Sequence, residues 1–399
     1  MSVASIRYAT LDAGRSYWGL LAVLAGVTLV GLAGFLHLEH EGHWITGMNN
    51  QVVWGIPHVF AVFLIVAASG ALNVASIASV FGQVTYKPLA RLSGLLAAGL
   101  LIGGLVILVL DLGRPDRLIV AMTYYNFKSI FAWNIFLYTG LLAVIALYMF
   151  VLFQPAFARW TRAAGTLALL WRLILTTGTG AIFGFLVARQ GYDAAIMAPL
   201  FIIMSFSFGT AVFMLVLTAA CHGSGRVLGD ALLFRLKNLL AVFVSAVLYF
   251  VLAYHITNLY ATEHHGYEAF ILNFESLYSK LFWIGQVGFG SLVPLALFYA
   301  PRTRTCRIST HVGAGLVILG GLIQMYVIII GGQAYPLVLF PGMEESSSFY
   351  DGVVASYIPS IWEFLLGFTG VAISLIVVVA GLGALGILPE DLSDPKPAG

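Results

Sequence analysis

Cysteine and charge are both scarce in this chain. It has two cysteines among 399 residues, and charged residues make up only 9% of it. An iron–sulfur cluster needs about four thiolate ligands, so Cys221 and Cys306 cannot hold one. The net charge is +2 and the basic residues form no runs, whereas a nucleic-acid-binding chain carries a basic patch. We therefore expect no iron–sulfur cluster held by this chain and no nucleic-acid partner.

Apolar residues dominate what is present. They account for 60% of the sequence, with a mean hydropathy of +0.97, whereas soluble domains carry about 25% charged residues. A membrane-spanning helix needs about 20 apolar residues. Ten segments satisfy this condition, which predicts an all-α integral membrane protein in a lipid bilayer: 17–37, 56–80, 92–111, 129–153, 167–189, 198–221, 238–257, 281–300, 311–331 and 358–384. The first segment is too long for a cleavable signal and is expected to be a retained anchor.

The distribution of Lys and Arg predicts the orientation. If the N-terminus is inside, thirteen of the nineteen basic residues lie in inside segments and five in outside segments, while Arg172 lies within the fifth helix. Positive residues concentrate on the cytoplasmic side. We therefore expect both termini on the inside. In a bacterium the membrane would be the inner (cytoplasmic) membrane, and the outer face would be the periplasm. The 112–128 turn and the long acidic 332–357 loop then lie on the periplasmic side.

A weak internal repeat suggests how the helices are grouped. Asn126-Phe127-x-Ser129 recurs 147 residues later as Asn273-Phe274-x-Ser276. The same offset places helices two to five on helices six to nine, which predicts two four-helix bundles in a parallel repeat, with one extra helix at each end. The predicted divisions are 1–50 for the tail and first helix, 51–195 for the first bundle, 196–335 for the second, and 336–399 for the outer loop, last helix and tail. At this offset Asp111 falls on Asn258 and His58 on Ser205, so only the first bundle is expected to carry the chemistry.

The most informative stretch is LVLDLGRPDRLIVAMTYYNFKSIFAWN, residues 108–134. An apolar helix ends there at Asp111, beside Arg114 and Arg117, and another begins near Ser129. A carboxylate at this depth is costly and usually functional. Helix alternation brings further groups to the same membrane level. The predicted quinone site comprises His58 and Asp111 as catalytic groups, with Arg114, Tyr124, Tyr125, Trp133 and Arg189 as further binding residues.

A quinone suits this place because its two oxygens need hydrogen-bond partners and its ring needs apolar walls. Histidine titrates near neutrality and can donate or accept a proton, and a carboxylate beside arginine can stay ionised. Each residue also has a structural interpretation. Asp111 could be a helix-end anion paired with Arg114, and the aromatic residues could be interfacial belt residues. Arg189 could snorkel, and Glu363 could brace the last helix.

Two other functional classes remain open. A b-type haem needs two facing histidines, and only the pairs His58–His255 and His222–His311 are conceivable. A secondary transporter would fit a parallel repeat with an intramembrane carboxylate. However, the helices lack paired Gly/Pro breaks at the midplane, and the charged groups lie near one surface.

At WGIPH, LDLGRP, NFKSIFAWN and YIPSIWEFLLG the chain resembles the NrfD/PsrC family of membrane subunits of respiratory iron–sulfur oxidoreductases. It looks most like the ten-helix branch that contains the hydrogenase subunit HybB and the sulfite-reductase-associated subunit DsrP. In this chain Pro359 and Glu363 of the last motif stand one residue further apart than the family pattern.

The resemblance implies a subunit without haem that is catalytically silent alone. It would pass electrons between menaquinone or ubiquinone and a periplasmic four-cluster iron–sulfur subunit, within a complex containing further cytochrome and iron–sulfur subunits, as in dissimilatory sulfur metabolism of the DsrMKJOP type. No metal site is expected. The family holds quinone with a histidine, an aspartate and a tyrosine. His58 and Asp111 match the first two, while Tyr124, Tyr125 and Tyr192 compete for the third.

Overall fold

Ten long helices make up most of the computed structural model, which describes residues 6–337 and 352–394. Each is long and apolar enough to cross a membrane, as the sequence predicts. They are α1 (Arg15–Glu41), α2 (Ile56–Ser79), α3 (Val84–Leu110), α4 (Ile130–Phe153), α5 (Pro155–Gly184), α6 (Met197–Gly223), α7 (Asp230–Tyr260), α8 (Leu277–Tyr299), α9 (Arg307–Ala334) and α10 (Ile361–Ala384). Most of the predicted 332–357 loop, and Lys396, lie outside the described residues.

Several helices extend beyond the apolar segments that predicted them. α7 begins at Asp230 and α9 at Arg307, because helical hydrogen bonding continues into polar residues at the membrane surface. α5 ends earlier than predicted, at Gly184. Arg189 therefore lies in the 185–196 loop rather than on a helix. Within α8 and α9, the segments Leu281–Leu292 and Val327–Gly331 are wound as π-helix.

Short elements connect the long helices. Strands β1 (Tyr8–Ala9) and β2 (Leu388–Pro389) pair antiparallel and bring the two ends of the described chain to the same face. The opposite face, at which α2 begins and α3 ends, is called here the His58 face. It carries short helices or helical turns at His43–Ile45, Pro115–Arg117, Leu118–Thr123, Thr262–His264 and His265–Leu272.

α2 occupies the centre of the molecule. It packs against α3, α5, α6, α9 and α10, and nearly all of its residues are buried. A helix that is apolar all round is suited to such a position. α2 and α6 approach closely where Gly70 lies against Ser205 and Gly209, with no room for a side chain. α1 lies at the edge against α10. The internal repeat and the division into bundles stay predictions.

Candidate functional site

His58 and Asp111 meet at the His58 face. His58 lies in the first turn of α2 after Pro57, whose ring suits a helix start, and Asp111 follows the last residue of α3. Nδ1 of His58 is 2.8 Å from Oδ2 of Asp111, and the Asp111 side chain is only 4% exposed. The contact falls outside the angles of a regular hydrogen bond and is therefore a close polar contact. It leaves Nε2 of His58 as the ring nitrogen available to a ligand.

His58 borders a cavity of about 520 Å³. Small-molecule sites span about 300–1,000 Å³ and have mostly apolar walls. The walls come from α2, α3, α4, α5, α9, the Leu118–Thr123 helix and the residues just before α2 and just after α3: Trp54, Val62, Leu105, Leu108, Val109, Leu112, Leu118, Ala121, Met122, Phe131, Asn134, Ile135, Tyr138, Thr139, Ile182, Phe183 and Ile329. Among these, Val109, Leu112 and Phe131 are exposed. The mouth therefore lies between α3 and α4, on the surface that lipid would cover.

Trp54 forms an aromatic wall of this cavity. Its ring stacks on His58, with centroids 6.1 Å apart and planes 29° apart, and on Tyr192 at 6.4 Å and 28°. Phe183 meets it edge-on at 6.0 Å. Stacked and edge-on aromatic pairs within 7 Å attract each other beyond simple burial. The stacking therefore orients the Trp54 ring beside the imidazole.

Asn134 places a free acceptor in the cavity wall. Its Nδ2 donates to the carbonyl oxygens of Ile130 and Gly178. Its Oδ1 is buried and has no hydrogen-bond partner among the described residues. Such an atom costs roughly 1–3 kcal/mol unless something donates to it. A ligand hydroxyl in the cavity would satisfy it. Tyr138, also in the wall, has its hydroxyl 3.4 Å from that of Thr179.

Gln333 and Arg189 hold the Trp54 segment in place. Oε1 of Gln333 accepts from the backbone N–H groups of Val53 and Trp54, and its Nε2 donates to the carbonyl oxygens of Trp54 and Ile329. Arg189 donates to the carbonyl oxygens of Gln333 and Gln51, and burial lowers its pKa. Arg189 thus positions the loop before α2 and does not contact Asp111.

A buried carboxylate fixes the start of α2 from the other side. Glu363 accepts from the hydroxyl of Tyr357 at 2.6 Å and from the backbone N–H groups of Gly47 and Ser360. Tyr357 in turn accepts from the N–H of Ile56 at 2.7 Å. Burial, followed by the bond to Glu363, raises the pKa of Tyr357, so its hydroxyl stays protonated at neutral pH. Glu363 therefore braces both α10 and the segment that carries His58.

The other predicted binding residues lie away from the cavity. Arg114 pairs with Asp116 at 3.0 Å instead of Asp111, and this hydrogen bond lowers the pKa of Asp116. Tyr124 is exposed. Tyr125 stacks on Phe136 at 4.2 Å. Trp133 is partly exposed and donates to the carbonyl oxygen of Phe127. None of the four is among the residues that line the cavity within the described chain.

Three of the four histidines considered as haem ligands, His58, His255 and His311, have partners of other kinds. His58 faces Asp111, and Nδ1 of His255 lies 2.7 Å from Glu268. Nε2 of His311 lies 3.1 Å from the hydroxyl of Thr218.

Tyr192, one of the three tyrosines that compete for the quinone-binding role, donates its hydroxyl hydrogen to the carbonyl oxygen of Ile329. Burial raises the pKa of Tyr192. Tyr192 supports the Trp54 wall from behind.

Sequence reasoning missed Asn134, Tyr138 and Gln333. The first two stand inside an apolar helix, and the third at the end of another. Nothing in the neighbours of Tyr138 and Gln333 marks them as cavity-lining or loop-holding residues. Trp54 and Asn134 do lie in the WGIPH and NFKSIFAWN motifs, which was the available signal.

Comparison with known proteins agrees with this architecture. The family model described as "Polysulphide reductase, NrfD" matches residues 44–336. An Archaeoglobus fulgidus protein named "Hdr-like menaquinol oxidoreductase integral membrane subunit" is 29% identical, covering 94% of each chain. A membrane subunit of a putative dimethyl sulfoxide reductase from Halobacterium salinarum is 27% identical over 92% of this chain and 90% of its own. A selenate reductase subunit of Mesobacillus selenatarsenatis is 23% identical, over 90% and 92%. The matched region contains α2 to α9 and the His58–Asp111 pair, and the chain is a multi-pass membrane protein of the NrfD family.

Proposed function

We propose that this chain is the quinone-binding membrane subunit of an electron-transfer complex, and that quinol or quinone reacts in the cavity beside His58. The observation that carries the proposal is the His58–Asp111 pair at the edge of an apolar cavity of about 520 Å³. The names of the relatives, which include a menaquinol oxidoreductase subunit, favour menaquinone.

The cavity matches the substrate in polarity and access. A quinone carries an apolar ring and an isoprenoid tail, and it diffuses within the bilayer. The exposed apolar residues at the mouth, Val109 and Phe131, would pass the ring from lipid to the Trp54 wall. In the quinol form, His58 and Oδ1 of Asn134 would then accept hydrogen bonds from its two hydroxyl groups.

The pair can move protons while electrons leave. Oxidation of a quinol releases two electrons and two protons. Nε2 of His58 accepts a hydroxyl proton, and the Asp111 carboxylate 2.8 Å from Nδ1 stabilises the positive imidazolium. Transfer of the Nδ1 proton to Asp111, followed by its release at the His58 face, leaves a neutral imidazole that carries its proton on Nε2. Once that proton has exchanged back to Nδ1, Nε2 is free to accept the second hydroxyl proton. Quinone reduction would run these steps in reverse.

The electrons would leave to a partner on the His58 face. Two features support docking there: the cavity is nearest to this face, and the 112–128 turn exposes apolar residues such as Ile119 and Phe127. We propose a periplasmic four-cluster iron–sulfur subunit as the partner, with further cytochrome and iron–sulfur subunits beyond it. The termini would then be cytoplasmic, and the complex would be of the DsrP-containing type, acting in dissimilatory sulfur metabolism.

The test is quinol-linked turnover of the complex isolated with the tagged chain. His58→Ala and Asp111→Asn should each lower kcat with a menaquinol analogue by about 100-fold, the lower range for general acid–base catalysis. His40→Ala and Asp116→Asn change exposed residues on the same face and should leave turnover unchanged. Full turnover in both site variants would refute the assignment. Isolation of the chain without iron–sulfur subunits would refute the proposed partner.

A further inference from the structure

A second histidine–carboxylate pair lies outside the proposed quinone site. His255 of α7 has Nδ1 2.7 Å from Oε2 of Glu268, which is fully buried. Asn258 donates to Oε1 of the same carboxylate at 2.9 Å. Glu268 belongs to the short His265–Leu272 helix, which folds back against α7. An intramembrane carboxylate paired with histidine is a common element of proton relays.

Two small cavities continue from this pair. The first, about 20 Å³, is lined by His255, Gln286 and Gln324 among others. The second, about 10 Å³, shares both glutamines and adds Ser207 and Ser291. A water molecule needs about 10–15 Å³ and two to four polar partners. Both cavities are therefore of the size and polarity that hold single waters.

Gln324 supplies independent evidence for water. Its side chain is 2% exposed, and its Nε2 has no hydrogen-bond partner among the described residues. A buried amide donor is costly when it is left unpaired. Gln324 borders both cavities, so a water in either one would accept its hydrogen bond. The unpaired donor thus marks the junction of the two cavities.

The two small cavities and the polar residues that line them, called here the polar tract, extend deep into the molecule. At about 1.5 Å per helical residue, His255 lies roughly 8 Å from the end of α7 on the His58 face. Val247 and Val244, which line the second cavity, lie roughly 20 and 24 Å from that end. The polar tract therefore extends from near the surface to about the middle of α7.

The backbone departs from α-helical winding along this tract. Gln286, Gly290 and Ser291 belong to the π-helical segment of α8, while Val327 and Ile328 belong to that of α9. π-Helical turns occur frequently at functional sites. The α9 segment also separates this tract from the quinone cavity, because Ile329 lines that cavity. One helix wall thus lies between the two sites.

We propose that His255 and Glu268 form a proton-binding site, connected by water along Gln286 and Gln324 to the interior of α6–α9. A proton can pass between Nδ1 and Oε2, which are 2.7 Å apart, without changing the net charge of the pair. An additional proton that arrives along the water-filled cavities is bound by His255 and Glu268 and leaves by the same route. The other titratable groups around the pair are Tyr254, Tyr267, Tyr192 and His264.

Infrared difference spectroscopy of the whole purified protein during a pH titration tests the site without quinone turnover. Lowering the pH should produce a carboxylic-acid C=O band that is lost in Glu268→Gln. Glu363→Gln is the matched control, since Glu363 is equally buried but borders neither cavity. It should keep the band. A wild-type protein without the band, or a band that survives in Glu268→Gln, would overturn the proposal.

Gln324→Leu tests the polar tract while Glu268 stays in place. It therefore provides a second test in case Glu268→Gln does not fold. After a pH jump, the band should keep its amplitude but respond at least tenfold more slowly than in wild type. Gln154→Leu, at the exposed end of α4, should respond at the wild-type rate. An unchanged rate in Gln324→Leu would refute the tract. Because neither measurement involves quinol, its result is separate from that of the turnover test.

Discussion

Oδ2 of Asp111 lies 2.8 Å from Nδ1 of His58, where α3 ends and α2 begins. The two residues come from antiparallel neighbours, and their side chains meet at the edge of the apolar cavity. This places an acid–base pair next to a space that a lipid-soluble ring can enter. The walls of that space and the contacts that hold them can each be tested by substitution.

Removing the Trp54 ring should weaken quinone binding. Trp54 stacks on His58, and an aromatic pair contributes about 0.5–1.5 kcal/mol. Trp54→Ala should therefore raise KM for a menaquinol analogue by up to about tenfold. Trp54→Phe keeps a ring and should stay close to wild type. If the two variants have equal KM values, Trp54 does not form the binding wall.

Asn134→Leu should impair binding of the reacting oxygen. It removes the buried Oδ1, which has no partner among the described residues. One lost hydrogen bond of about 0.5–1.5 kcal/mol corresponds to a loss of up to about tenfold in kcat/KM. Thr139→Val is the matched control, because the Thr139 hydroxyl already donates to Ile135 within its own helix. Equal activity of the two variants would contradict a role for Asn134.

A large side chain at Ala121 should block the cavity without disturbing the fold. Ala121 lines the cavity and is exposed. We expect Ala121→Trp to lower the amount of quinone extracted with the purified complex by at least tenfold, with an unchanged Tm. Ala121→Ser should retain quinone. Wild-type quinone content in Ala121→Trp would show that the quinone lies elsewhere.

Gln333→Leu should loosen the Trp54 segment. The change leaves the partly buried N–H groups of Val53 and Trp54 without their acceptor. An unsatisfied group costs about 1–3 kcal/mol when it is fully buried, and a partly buried one costs less. We expect a lower Tm and a higher KM together, while Gln154→Leu should change neither. A lower Tm with an unchanged KM would mean that Gln333 acts on stability alone.

Gly209→Ala should destabilise the protein by separating α2 from α6. A Cβ at this position would overlap the backbone of Gly70, and overpacking of a core costs about 1–3 kcal/mol. Gly26→Ala, on α1 where the added Cβ meets nothing, is the control. Thermal unfolding in detergent should give a lower Tm for the first variant and an unchanged or slightly higher Tm for the second. Equal Tm values would show that the α2–α6 contact can relax.

The sequence by itself determined the number of helices, because crossing a bilayer requires a continuous apolar run that can be read locally. Alternation of those helices also placed His58 and Asp111 at one level. The roles of Arg189 and Gln333 depended on tertiary structure, since their partners are backbone groups of a distant loop. The repeat offset led us to expect the chemistry in the first bundle alone, because the counterparts of Asp111 and His58 are not ionisable. The structure nevertheless pairs His255 with Glu268 in the α6–α9 region, at positions that the offset does not equate.

Only the tertiary structure could show this second pair. Glu268 follows the end of α7 in a segment that reads as a polar loop, and it becomes fully buried because the His265–Leu272 helix folds back against α7. Hydropathy registers the composition of a segment but not the direction in which the chain turns after it. Apolar runs determine which helices enter the membrane. The packing of the short connecting helices decides which charged side chains are buried against those helices.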